Sequence, residues 1–247
     1  MNIDDIKYFH HQKENRNPVF LSRFPDLSFK DMKVMDLGCG LGALSIDMAE
    51  RDAKEVTGVD INCSLIDFAR DNLKQNYPQF QDKIYFVCDD IRNLSNDHFD
   101  IIISKASFEH ILDLDTLLNE MQKKLKPGGK IYSGFGPLYR SPWGDHNRLR
   151  HKIPWAHVIP GEKHFIDKLN RKSPGRNLNN IYDLGLNGYT LKKYKEVIFN
   201  TPGLRVIDFS TNVSNKLSMK IFNLFALLPF LKEYFTYNIY CILERIK

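Results

Sequence analysis

The nine residues Val34-Met35-Asp36-Leu37-Gly38-Cys39-Gly40-Leu41-Gly42 decide the fold of this chain. An apolar, strand-like run ends in Asp-x-Gly-x-Gly-x-Gly and leads into residues 43–50, which read as a helix. Where a strand turns sharply into a helix, glycines allow positive φ and let a ligand approach without meeting Cβ atoms. A bare Gly-x-Gly serves dinucleotide-binding turns equally well. Two acids sharpen the pattern: Asp36 ahead of the glycines, and Asp60 at the end of the next strand-like run, Val56-Thr57-Gly58-Val59-Asp60-Ile61.

This pattern resembles motif I, V-L-D-x-G-C-G-x-G, of the class I methyltransferases that use S-adenosylmethionine (SAM), with Met35 in place of the usual Leu. Further stretches extend the likeness in order. Tyr85-Phe86-Val87-Cys88-Asp89-Asp90-Ile91-Arg92-Asn93-Leu94 is similar to F-V-x-G-D-x-x-x-L, with Asp90 at the adenine-binding Asp and Asp89 as its alternative. Phe99–Ile111 resembles F-D-x-I-x-S-x-x-x-x-E-H, and Leu125-Lys126-Pro127-Gly128-Gly129 resembles L-K-P-G-G. The likeness covers roughly residues 33–135 and points to the small-molecule, type 11/25-like branch of the family. It implies SAM as cofactor, bound through Asp36, Gly38, Cys39, Gly40, Gly42, Asp60, Ile61, Asp90, Ile91 and Ser104. Asp60 would take both ribose hydroxyls, since a carboxylate accepts two hydrogen bonds at once.

Strand and helix signals alternate from Val34 onward, which predicts an α/β fold with a parallel sheet. Strands are expected near 33–37, 55–60, 84–88, 99–103 and 130–136, and helices near 43–51, 63–76, 114–125 and 190–200. Ser64 and Thr190 are the cap candidates, and Pro202-Gly203 stops the last of these helices. Two final strands, 204–213 and 237–246, would by family resemblance complete a Rossmann-like, seven-stranded, mostly parallel sheet with an antiparallel final strand and helices on both faces. The whole of 1–247 then reads as one methyltransferase domain with two lid insertions, 137–189 and 215–236, placed to roof the carboxyl ends of the strands.

Methyl transfer needs alignment, exclusion of water and, for a hydroxyl acceptor, removal of a proton. Glu109-His110 follows strand four, and imidazole suits base work near neutral pH. His146 closes Phe135-Gly136-Pro137-Leu138-Tyr139-Arg140-Ser141-Pro142-Trp143-Gly144-Asp145-His146, which resembles an F-G-P-x-x-x-S-P-x-G-x-H stretch of uncharacterised microbial methyltransferases. His110, His146 and Glu109 are therefore the catalytic candidates, Glu109 as the orienting group and His157 as the next base in line. The plainer alternative gives both histidines packing or capping roles. Some relatives hold a metal through Glu-x-x-Glu-His and a later His; here Ala106 stands at the first Glu, the ligand set is incomplete, and no metal is expected.

Residues 140–195 hold twelve Lys and Arg against four acids, in a chain whose net charge is +5. A basic roof that also carries both tryptophans fits an anionic small molecule, or a sugar- or lipid-linked one. No RNA-binding module or base-methyltransferase motif is present, which ranks nucleic acid low. The four cysteines lack metal-ligand or disulfide-framework spacing, and Met1–Asp5 does not open a signal peptide, so a cytoplasmic location is expected. The apolar run Met219–Leu231 is too short to span a bilayer and leaves a pocket cover, a homodimer contact or a peripheral membrane contact open. The reading is a SAM-dependent methyltransferase that O-methylates a small molecule. Its rivals are a nucleic-acid or protein methyltransferase and a non-catalytic SAM-binding subunit.

Overall fold

The computed structural model describes residues 2–95, 98–148, 153–173, 175–213 and 217–246. Roof residues Arg150 and Lys152, and Asn215 and Lys216 at the start of the second insertion, lie outside them. Seven strands form one sheet: β1 Lys33–Leu37, β2 Glu55–Asp60, β3 Ile84–Cys88, β4 Phe99–Lys105, β5 Leu125–Phe135, β6 Leu204–Thr211 and β7 Ile239–Arg245. Their order is β3-β2-β1-β4-β5-β7-β6. β1 to β5 pair in parallel, and β7 runs antiparallel to both β5 and β6. The order reverses beside β1, and in such sheets ligands gather outside the strand ends at this switch point.

The helices are α1 Ile3–His11, α2 Asn17–Leu21, α3 Ala43–Glu50, α4 Cys63–Asn76, α5 Leu114–Lys124, α6 Glu162–Lys172, α7 Leu191–Asn200, α8 Leu217–Phe225 and α9 Lys232–Phe235. A π-helical turn, Gln12–Arg16, joins α1 to α2. The central strands are buried on both faces, which explains their continuous apolar runs, Val34-Met35 and Ile101-Ile102-Ile103. One core lies beneath α1 to α4, and a second beneath α5 and α7. A third, smaller core of Phe165, Ile166, Leu169, Ile181, Leu184 and Leu186 belongs to the first insertion alone.

The local readings hold with three corrections. Thr190 caps α7 by accepting the Lys193 N–H. The cap of α4 is Asn62, not Ser64: its side chain accepts from the Ser64 N–H at 3.1 Å, because Asn62 is the last extended residue before the helix. β5 begins at Leu125, so the Pro-Gly-Gly segment is a bulged strand start and not a turn before it. The cysteines are not all free: Cys63 at the head of α4 and Cys88 at the end of β3 form a disulfide. Their separation of 25 residues carries no spacing signature; pairing of β2 with β3 brings them together.

Candidate functional site

β1 ends beneath a turn braced by its neighbour. The Gly38 and Cys39 N–H groups donate to the Val59 carbonyl at 2.8 and 3.1 Å. Asp60 accepts from Gly40 N–H and Asn62 N–H, both at 2.9 Å. Gly40 has φ +52°, and a Cβ there would meet nothing within 4 Å, so the turn presents bare backbone to open space. Gly42, at φ +80°, is tight for another reason: a Cβ there would lie 2.5 Å from the Phe86 ring. Ile61, beside Asp60, is an aliphatic side chain left 77% exposed at the strand end. The segment that follows β3 carries two acids. Asp90 is clamped by the Arg92 guanidinium, which holds its carboxyl below the usual range, whereas Asp89 accepts from Asp90 N–H and Asn93.

Other cofactor candidates sit deeper. Asp36 is buried, accepts from the Ser45 hydroxyl at 2.7 Å, and burial pushes its carboxyl up to about 6. Ser104 is fully buried and donates to the Leu37 carbonyl, bracing β4 against β1. Cys39 and Ile91 are buried as well. Sequence reasoning passed over Lys105 at the end of β4. Its ammonium donates to Gln12 at 2.8 Å and to Asn17, tying the π-helical turn to the strand end. Burial lowers its pKa to about 8, against the pull of Asp36 and Asp47. A lysine ending an apolar strand, where a solvated residue is the norm, was the one available signal.

The catalytic candidates converge. Among the described residues, Glu109, His110 and His146 each offer one ligand atom, and these lie within 4.8 Å of one another. The two imidazoles are 5.1 Å apart. His110 Nδ1 bonds the Gly185 carbonyl at 2.6 Å, and His146 Nε2 bonds the Pro137 carbonyl at 2.9 Å. A carbonyl only accepts, so each of those nitrogens carries a proton, and in the neutral form of either ring the other nitrogen keeps its lone pair. Burial, with His110 beside it, drives His146 down to about 4, leaving it neutral at ordinary pH. Glu109 accepts from Gly136 N–H at 3.1 Å, while its Oε2 is buried without a hydrogen-bond partner. Burial pushes that carboxyl up to about 8. The bonds that fix the imidazoles thus come from carbonyls rather than from Glu109. His157 is fully buried, with Nε2 on the Tyr139 carbonyl.

This cluster adjoins the glycine turn, since a Cβ on Gly38 would strike the Ser107 hydroxyl at 2.4 Å, two residues before Glu109. Comparison with known proteins settles what kind of domain carries it. Residues 28–136 match the methyltransferase domain family model. Over these residues the chain is similar to class I, SAM-dependent methyltransferases. It is 38% identical over 119 residues to a ubiquinone biosynthesis O-methyltransferase of Coxiella burnetii, covering 47% of this chain and 49% of that protein. It is 32% identical over 114 residues to a magnesium-protoporphyrin O-methyltransferase of Rhodobacter capsulatus, covering 45% and 49%. The chain therefore spans about half the length of the curated relatives it matches. A SAM-dependent methyltransferase of Mesorhizobium loti shares the fold over 92% of this chain and 96% of its own, at TM-score 0.59 and 16% identity. The methyltransferase likeness in sequence ends where the first insertion begins.

Two outcomes are expected. Asp60→Ala removes a charged double acceptor and the brace on Gly40, so S-adenosylhomocysteine (SAH) should bind roughly ten- to a hundredfold more weakly. Unchanged affinity by calorimetry would remove Asp60 from the cofactor site. Glu109 titrates near 8 when folded and near 4.5 in a free chain. The native state therefore holds its proton more tightly, a stabilising contribution present below about 4.5 and lost as pH rises through about 8. In metal-free buffer, Glu109→Gln should flatten the fall in urea midpoint across that window; parallel profiles for the two proteins would contradict the buried protonated carboxyl.

Proposed function

We propose that the chain transfers the sulfonium methyl of SAM to a hydroxyl oxygen of a small-molecule acceptor held against His110 and His146. The observation that carries this reading is the contact between the glycine turn and the loop bearing Glu109-His110. It sets a proton-accepting pair beside the cofactor's place. As the hydroxyl oxygen attacks the methyl carbon, its proton passes to a neutral imidazole and the sulfonium leaves as a thioether. His110, exposed toward the site, is the nearer acceptor; His146, held neutral by burial, keeps a second lone pair at the same point. Asp60, Ile61 and Asp90, with Asp89 as its alternative, hold the adenosine. The turn from Gly38 to Gly42 passes the methionine part.

The two insertions act as the roof of this site. Asn187 donates from its side-chain amide to the Phe108 and Ile111 carbonyls at 2.7 and 3.0 Å, and from its backbone to the Glu109 carbonyl. The Trp155 indole donates to the Tyr234 carbonyl, joining the first insertion to the second. The basic excess of residues 140–195 favours an anionic acceptor, with carboxylate or phosphate near the reacting hydroxyl. That both curated relatives above are named O-methyltransferases supports oxygen as the methylated atom.

The same cluster favours a second reading, in which Glu109, His110 and His146 hold a divalent ion. Histidines that donate one nitrogen to a backbone carbonyl and leave the other bare have the outer support of metal ligands. The orphaned Glu109 Oε2 would find its partner there, and the ion would acidify the acceptor hydroxyl in place of a base.

Turnover of hydroxylated, carboxylated and phosphorylated compounds with labelled SAM tests the proposal. His110→Ala or His146→Ala should cost about 10²–10⁴ in rate while SAH binding persists. Were His146 the base, the acid limb of kcat/KM would fall near pH 4. Turnover that survives chelation, with no Mn²⁺ binding by calorimetry, selects the base reading; loss on chelation, restored by Mn²⁺, selects the ion. Full activity in both alanine variants would refute either role.

A further inference from the structure

We propose that the second insertion, with the tip of the first, is a docking surface for an anionic lipid bilayer. Its side chains are bared where a folded chain ordinarily hides them. Leu217, Leu224, Leu227 and Phe230 are 73%, 65%, 76% and 71% exposed, and Ile159 of the first insertion is 79% exposed. The segments that carry them are in contact. Phe235 packs on Phe222, Phe225 and Trp155, and a cavity of about 410 Å³ opens between Trp155, Ile159, Leu231 and Tyr234.

α8 anchors itself with Met219 and Phe222, which are buried, and turns Leu217, Ile221 and Leu224 outward. It is apolar on both faces, so packing against the chain uses only one of them. Contiguous apolar surface of this kind marks an interaction site.

Charge selects the occupant. Lys220 and Lys232 flank the patch and are exposed. Residues 214–236 contain one acid, Glu233, and its carboxylate is turned inward to accept the Leu191 and Lys192 N–H groups at the head of α7. Among its described residues, the second insertion therefore combines exposed aliphatic and aromatic side chains with lysines and no bare carboxylate. That is the composition of a helix that lies in the headgroup layer of an anionic membrane. Among the described residues, no helix is long and apolar enough to cross a membrane, so contact is with one leaflet. The surface lies toward the end of the sheet at which the parallel strands terminate, the end that carries the glycine turn, since β7 starts opposite the end of β5 at Ile239 and Phe135. Docking does not depend on the methyl-transfer reading.

The test is flotation of the full chain with vesicles of phosphatidylcholine alone, or of roughly three parts phosphatidylcholine to one of phosphatidylglycerol. The chain should float with the anionic vesicles, less with the neutral ones, and less at high salt. Leu227→Glu with Phe230→Glu, both at exposed positions, should cut the bound fraction roughly tenfold while SAH affinity stays unchanged. Lys220→Glu should abolish the preference for anionic vesicles. No flotation with either vesicle would overturn the proposal. So would equal flotation by the double variant. A wild-type dimer in sedimentation velocity that the double variant converts to a monomer, without vesicle binding, would reassign the surface to a second copy of this chain.

Discussion

The turn from Gly38 to Gly42 is the constraint on which the rest of the structure depends. It takes the chain from β1 into α3 within a few residues, and only backbone can fill the space it leaves. Three strands close on it. β2 supplies the Val59 carbonyl and the Asp60 carboxylate that hold its amides. β3 supplies Phe86, whose ring lies where a side chain at Gly42 would be. The loop after β4 supplies Ser107, which occupies the same kind of space at Gly38. The glycine turn and the loop bearing Glu109-His110 are therefore one packed unit. A shift of β4 relative to β1 would displace both, and Ser104 on the Leu37 carbonyl resists that shift from inside the sheet.

Such packing brings ionisable groups out of water, and the site is organised around that cost. Removing a carboxylate from water is unfavourable by several kcal/mol unless partners replace the hydration. Asp36 has Ser45 and the field of Lys105; Asp47 has Lys13 and Asn17. The lysines come from opposite directions, Lys105 from β4 and Lys13 from the π-helical turn, so the N-terminal helices serve as the counter-layer for acids carried by β1 and α3. Among the described residues, Glu109 has no such cation beside it. It meets the cost by keeping its proton, which distinguishes it from the acids beneath the cofactor turn and fits a group that waits for an external partner.

What could be read from the sequence follows from the range of the interactions. Strand limits and the Thr190 cap are written in local alternation and in glycine and proline positions, and the structure matches them closely, whereas the seven-stranded sheet with its antiparallel end was implied by the family resemblance. The place of Asp60 at the end of β2 was readable from the strand-like run before it, and the structure sets its carboxylate on the Gly40 N–H. Lys105 was not, because its partners Gln12 and Asn17 are some ninety residues away in the chain. The Cys63–Cys88 bridge depends on β2–β3 register in the same way. Ser104 was nameable as a site residue, but the direction of its hydroxyl depends on which face of a doubly covered strand it occupies. Glu109 was expected to orient an imidazole; the groups that do so are carbonyls, and a carbonyl leaves no trace in a sequence.

That last point bears on how the roof and the chemistry are connected. The proton positions on the two histidines are fixed by Gly185 and Pro137, both within the first insertion, while the rings belong to the β4 loop and to the insertion itself. Asn187 then locks the same segment to the carbonyls on either side of His110. A roof that moves away takes the Gly185 carbonyl with it, and His110 loses the bond that keeps its other nitrogen bare. In the proposed function the first insertion therefore does more than exclude water: it sets the tautomer on which proton transfer or ion binding would depend. The cofactor turn, braced only by β2, β3 and the β4 loop, would stay intact through such a movement. Under the proposed function, cofactor binding and catalytic competence are thus separable, the first held by the sheet and the second by the first insertion.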